Sequence, residues 1–476
     1  MASDFTILHP DALLLPGQSY RSIGQDIVGI ALDHPGGRRW WIAFAGALGL
    51  VGVLAAALGT LLYEGVGIWG NNIPVTWALD IVSYDWWIGV ASGGLLVSAT
   101  SVLLGSAWRG ALNRITETMA LIAAAAAGLY PIVHLGRPWF FYWNLPYPNT
   151  FLLWPQFRSP LYSDAVDIVS YLIVCLSFWY IGLLPDLATC RDRASLRAEA
   201  AADNHPERLH LLKARLYGIF ALGWRGSAVH WQRWTRVYRM IALFGIVLVV
   251  SLQTGASMLF AASLEPGWHD TLMPVSLLFN AVFTGVGMVA ALTVLLRFVF
   301  PLEPFITPQH LDLLAKLLLG LGMVNLYCYA AEMFTTLQLG DAFDRASMAR
   351  RFAGPNAWSS WLIIGCALVP VQLFWIPGLR RSAGLLLVVG LLAALGMWAD
   401  HFMILVITQQ HDFLPSAANV YRVDAWGAAT FAGTVGLFLA LLLLAVRYLP
   451  MVSIHEVRRI AGPDEDLRPG RDLRHV

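Results

Sequence analysis

The stretch TMALIAAAAAGLYPIVHLGRPWFFYWNLPYPN, residues 118–149, decides what kind of molecule this is. Thr118 to Val133 carry no charge. His134, Arg137 and a crowd of aromatics and prolines follow at once. Extended to about 114–134, the apolar run is long enough to cross a ~30 Å hydrocarbon core as a helix. The aromatic loop after it is too rigid for a linker and has the residue types of a docking surface.

The rest of the chain repeats the pattern. Of its 476 residues 58% are hydrophobic and only 13% charged, where a soluble domain carries about 25%. So little charge cannot clothe a water-soluble body, which predicts an all-α integral membrane protein. Ten apolar segments of spanning length lie at about 40–62, 86–107, 114–134, 164–185, 236–262, 273–298, 310–338, 358–377, 382–407 and 425–448. Lys and Arg set the orientation. With the N-terminus inside, 24 of the 31 fall on the cytoplasmic side and six on the other. Both termini are therefore expected in the cytoplasm, and the His134 loop outside. Residues 1–38 read as an extension on the membrane or on a partner rather than a secretory signal, since no basic n-region precedes a short apolar core. Residues 39–450 form the membrane domain, and 451–476 a cytoplasmic tail. The inner loop 186–235 reads as a charged, solvated helix, with a simple cytoplasmic connector as its favoured role, and the outer loops 135–163 and 339–357 as aromatic, proline-rich surfaces.

A net charge of +1 and the lack of a basic stripe exclude a nucleic-acid partner. Cys175, Cys190, Cys328 and Cys366 show no metal or haem spacing. No metal site and no covalent cofactor are expected, so any redox centre belongs to a partner protein.

Ionisable groups inside a span are costly and mark function by default. His134 ends the third segment, and Asp164 opens the fourth with Asp167 one turn further in. Asp164, Asp167 and Tyr171 share a helix face. An imidazole with a carboxylate beside it in a dry pocket accepts a proton near neutral pH, and His134 with Asp164 is the candidate pair. A histidine there is also simply an interfacial cap. Asn325, Tyr329 and Glu332 share a face of the seventh segment, and Asp400–His401 sit in the outer half of the ninth. Glu117 lies 17 residues from His134, about 25 Å along a helix. It is either one end of a proton path or, the favoured reading, the partner of Arg114. Lys316 is expected to snorkel, and Gln253, Asn280 and Gln372 to join helices.

The ordered runs GIWGNNIPVTWALDIVSYDWWIGVASGG, ITETMALI, PIVHLGRPWFFYWNLPYPN, WPQFRSPLYSD, FWYIGLLPDLATCRDRA and ALGWRGSAVHW, with PGWH at 266–269 and DFLPS at 412–416, cover nearly the whole chain. Together they resemble the polysulfide-reductase-type (NrfD-like) membrane subunits, and within that family most resemble the large C subunit of bacterial alternative complex III. The resemblance implies two four-helix bundles, about 86–262 and 273–407, flanked by single helices in the bacterial inner membrane. It implies a quinol, menaquinol or ubiquinol, bound near the periplasmic face by His134, Arg137, Asp164, Asp167 and Tyr171, with His134 and Asp164 as the catalytic pair. The implied partners are a periplasmic iron–sulfur subunit, multihaem cytochrome c subunits and a second NrfD-like membrane subunit. Glu117, Asn325, Tyr329, Glu332, Asp400 and His401 become candidates for a proton path. The chain departs from the pattern at Ala91–Ser92, where relatives tend to have a histidine, and at Gln253, where another is expected. An acid is missing from SMLFAAS, and Asp400–His401 replaces a Glu–Arg pair. A proton-coupled transporter and a structural anchor remain as alternatives; quinol-dependent reduction of a partner would separate the first reading from both.

Overall fold

The computed structural model describes residues 13–461 apart from 34–36, 77, 148–149, 151–156, 159, 201–205 and 412. The ends of the expected extension and tail, WPQ of the fourth quoted run and Asp412 of DFLPS therefore lie outside the described residues.

Helices form wherever apolar residues run unbroken, because a backbone in hydrocarbon must satisfy its own hydrogen bonds. In chain order they are α1 (Tyr20–Asp33), α2 (Gly37–Glu64), α3 (Ala78–Leu104), α4 (Arg109–Val133), α5 (Pro160–Ala200), α6 (Pro206–Phe220), α7 (Ala228–Ala261), α8 (Met273–Val299), α9 (Pro308–Leu339) and α10 (Ala342–Ala353). Next comes α11 (Trp358–Leu362), which runs on through a π-helical turn at Ile363–Leu368 and a 3-10 turn at Pro370–Trp375. A single turn, α12 (Pro377–Arg380), leads to α13 (Ala383–Phe402), itself prolonged by a π turn at Met403–Ile407. The chain closes with α14 (Ala425–Tyr448) and α15 (Ile454–Ala461). Among the described residues ten helical segments are long and apolar enough to span a membrane, and they coincide with the ten predicted.

Helices α3, α4, α5 and α7 pack on one another, and α8, α9, α13 and the α11 segment form a second group. Central to both is α3, with 72% of its most apolar window buried against 17% for α2. It meets α8 at Gly93 and Gly285, where a Cβ on Gly93 would stand 2.6 Å from the Gly285 Cα. Backbone meets backbone there, the close approach that small residues allow between membrane helices. The first and tenth spans, expected as single flanking helices, instead pack on each other as α2 and α14.

Three further expectations are corrected. The second span begins at Ala78 rather than 86; two aspartates in ALDIVSYD hid its first two turns. The inner loop is no plain connector, because α5 continues to Ala200 and α6 folds back against it. The outer segment 339–357 is largely the helix α10, started by an Asp341 cap whose side chain accepts from the Asp344 N–H.

The described parts of the two termini pack on the helical body and on each other. Ile23, Ile27, Val28 and Ala31 of α1 are buried, as are Ile454, Glu456 and Val457 of α15, and the two helices touch. Arg458 Nε donates to the Tyr20 carbonyl at 3.0 Å, and its guanidinium lies 4.3 Å from the Tyr20 ring centroid. His455 stacks on Trp231 at 4.0 Å. Burial, reinforced by surrounding arginines, holds its imidazole down to about 4, so it stacks as a neutral ring.

Replacing Gly93 by Val should cost about 1–3 kcal/mol by overpacking the α3–α8 contact. Gly255→Ala, at a site with nothing within 4 Å, should leave stability unchanged. Thermal unfolding of the two variants in the same detergent checks this.

Candidate functional site

The antiparallel order sends the polar residues of the spans to two ends. At one end α3, α5 and α8 begin and α4, α9 and α13 finish, and nearly all the candidate residues collect there.

His134 caps the C-terminus of α4, its N–H donating to the Tyr130 carbonyl at 2.9 Å. Its Nδ1 lies 3.7 Å from Asp80 Oδ2. Asp80, on the part of α3 that sequence reading left in the loop, is buried, and among the described residues neither oxygen has a hydrogen-bond donor. The carboxylate facing His134 is therefore Asp80 rather than the expected Asp164. Tyr130, on the same end of α4, shares the Thr434 hydroxyl with Trp87, at 3.0 and 3.1 Å, which locks α3, α4 and α14 together.

Asp164 lies within electrostatic reach of Asp167, on its own helix, and of Asp85 on α3, with Tyr84 beside all three. Asp85 in turn faces His401 of α13, Oδ2 to Nε2 at 3.5 Å. The His401 Nδ1 is 2.6 Å from the Met397 carbonyl and can only donate to it. Nε2 is then the nitrogen turned toward Asp85. This contact joins the two helical groups.

Asp400 accepts from Tyr329 OH at 2.6 Å and from Asn280 Nδ2 at 2.8 Å. Glu332 pairs with Arg351 of α10, whose Nη2 donates to the Gly267 carbonyl at 2.9 Å. Asn325, one turn from Tyr329, is fully buried, and its amide has no partner among the described residues. Tyr171 points away from the aspartates and donates to Ser92 at 3.3 Å, where Gln253 also donates at 3.0 Å. Two of the departures noted in the sequence thus meet in one contact. Arg137 is exposed, at the head of a 3-10 stretch, Pro138–Asn144, that also exposes Trp139, Phe141, Tyr142 and Trp143.

The other end is organised by Arg114. Its guanidinium donates to Glu117 at 2.8 Å, to Asp186 at 2.9 Å and to the Gly182 carbonyl. Glu117 also accepts from Ser98 at 2.9 Å and from Tyr238, and Asp186 accepts the Ile454 N–H at 3.2 Å. The favoured Arg114–Glu117 pairing is present, inside a larger buried network. Lys316 binds Asp312 one turn away at 2.6 Å while staying half exposed. Asn280 and Gln253 join helices as expected, but Gln372 does not: it donates to Leu368 within its own segment.

Sequence reasoning missed Asp80, Asp85 and Arg351. The first two were legible as acids five apart in an apolar, tryptophan-rich run, and Arg351 only as one of three outer-loop arginines.

Comparison with known proteins decides the family. Residues 67–411 match the model described as polysulphide reductase, NrfD. The chain belongs to the NrfD family. It is 25% identical over 462 residues to the putative membrane C subunit of a dimethyl sulfoxide reductase from Halobacterium salinarum, covering 89% of this chain and 96% of that protein. It is 22% identical over 430 residues to the C subunit of selenate reductase from Mesobacillus selenatarsenatis, covering 85% and 92%. As an NrfD member with ten apolar spans it is a multi-pass integral membrane protein.

Removing the Arg114 charge should strand two buried carboxylates, so Arg114→Met is expected to destabilise by about 3–5 kcal/mol. Glu117→Gln, which keeps the hydrogen-bonding shape, should cost far less. Denaturant unfolding of both variants in matched micelles measures the difference.

Proposed function

We propose that this NrfD protein is the quinol-binding membrane subunit of an oxidoreductase complex. It oxidises quinol at the His134 end, which in this reading is the periplasmic face, in keeping with the Lys/Arg distribution. The observation that carries this reading is the row of proton acceptors at one end of the spans: His134 with Asp80, Asp164 with Asp167 and Asp85, and Asp85 with His401. Oxidising a quinol releases two electrons and two protons. Each ring oxygen needs a base within hydrogen-bond reach, and carboxylates and imidazoles in a dry site supply it.

In this reading His134 receives one ring hydroxyl proton and Asp80 stabilises the imidazolium. Asp164 receives the other, with Asp167 and Arg137 on the same end. The electrons leave to an iron–sulfur partner seated on the exposed aromatic face of Trp139, Phe141, Tyr142 and Trp143, the residue types that anchor interfaces. A second NrfD-like membrane protein and multihaem cytochromes complete an alternative complex III-like assembly. The names of the two relatives, each a membrane or C subunit of a reductase, support the role in a larger complex. Protons pass toward Asp400, Tyr329 and Glu332 through the Asp85–His401 contact.

Quinol:acceptor turnover of the purified complex tests the site. His134→Ala, Asp80→Asn and Asp164→Asn should each lose at least ~100-fold, the scale of a general-base contribution, while the complex still assembles. Unchanged turnover in all three would remove quinol chemistry from this end.

A further inference from the structure

Away from the His134 end of the first group, α9, α10 and the α11 segment enclose a cavity of about 390 Å³, within the size range of small-molecule sites. Its wall is mainly apolar, with Tyr329, Glu332, Arg351, Ser360 and Gln372 as the polar groups. Of its lining residues Leu326, Met333 and Val369 are 38%, 46% and 58% exposed, and all three belong to apolar segments of spanning length. An opening past them suits an apolar molecule.

Two observations point to a ligand. Arg351 is only 2% exposed, yet among the described residues its Nε–H has no acceptor. An unmet donor on a buried guanidinium is costly unless something accepts from it. Both π-helical turns among the described residues also contribute to this wall, Ile363, Ile364 and Leu368 from one and Met403 from the other. Such turns are rare and recur at functional sites.

The charge at the wall selects the ligand. Glu332 is paired with Arg351, so the polar patch is close to neutral and offers little to a phosphate headgroup. Its donors and acceptors, the Arg351 Nε–H, the Tyr329 hydroxyl and the Glu332 carboxylate, instead suit a neutral ring bearing oxygens. An apolar tail would leave past Met333 into the bilayer. We infer that this cavity is a second binding site for a membrane-dissolved quinone or quinol, separate from the one proposed at the His134 end and not dependent on it.

Photolabelling of the purified protein in lipid nanodiscs with a short-chain azidoquinone, followed by peptide mapping, tests the site. Label is expected in segments 326–352 and 360–372, displaced by excess unlabelled quinone of the same ring and retained in His134→Ala. Met333→Trp, which fills the mouth, should cut that label at least tenfold. Arg351→Lys keeps the charge beside Glu332 but deletes the Nε–H along with the Nη2 bond to Gly267; it should weaken labelling about tenfold, the worth of one hydrogen bond to a charged group. No label in these segments would overturn the inference. So would label that resists unlabelled quinone, or that only phosphatidylglycerol displaces, the latter marking a lipid crevice.

Discussion

How closely α3 can approach α8 governs most of what lies at the His134 end. The Gly93–Gly285 contact brings backbone to backbone, and every side chain above it on α3 is carried to within reach of both helical groups. Asp85 meets His401 only because of that approach. Asp80, one and a half turns nearer the helix start, is turned instead toward α4 and His134. A single small-residue crossing therefore sorts two aspartates of one helix to two different partners. In hydrocarbon there is no burial energy to gain between apolar helices, so such close packing and the polar contacts it permits supply the specificity.

The Arg114 end obeys the same constraint with a different outcome. One guanidinium, two carboxylates, a tyrosine and a serine satisfy each other almost completely. A network this complete is a structural joint. By contrast, Asp80, Asn325 and the Arg351 Nε–H remain unmet among the described residues. The contrast between the mutually paired Arg114 network and the unmet Asp80 carboxylate is what separates scaffold from candidate chemistry here.

Much of this was legible in the sequence. Unbroken apolar runs located all ten spans, since helix is the only open-ended way to bury a backbone in lipid. The motif runs named the family, and His134, Asp164, Tyr329, Asp400 and His401 were visible as polar residues inside those spans. Partnership was not legible. His134 with Asp80 and Asp85 with His401 depend on helix rotation and on the crossing of non-adjacent segments, neither of which local spacing encodes. Asp80 and Asp85 were lost for a simpler reason: charges near a helix start look like loop. The contact between the termini was not legible, because α1 and α15 are short and polar on one side and their apolar faces find each other only in three dimensions.

That terminal contact has a consequence for assembly. Tyr20 and Arg458 are 438 positions apart, so α1 waits for α15, which follows the ten spans. An even number of crossings returns the chain to its starting side, and only then can α15 reach α1. The clasp is thus a completion step in biosynthesis, closed after every span between the two helices has been inserted. Because α15 also delivers the Ile454 N–H to Asp186, the Arg114 network stays one donor short until α15 has been made.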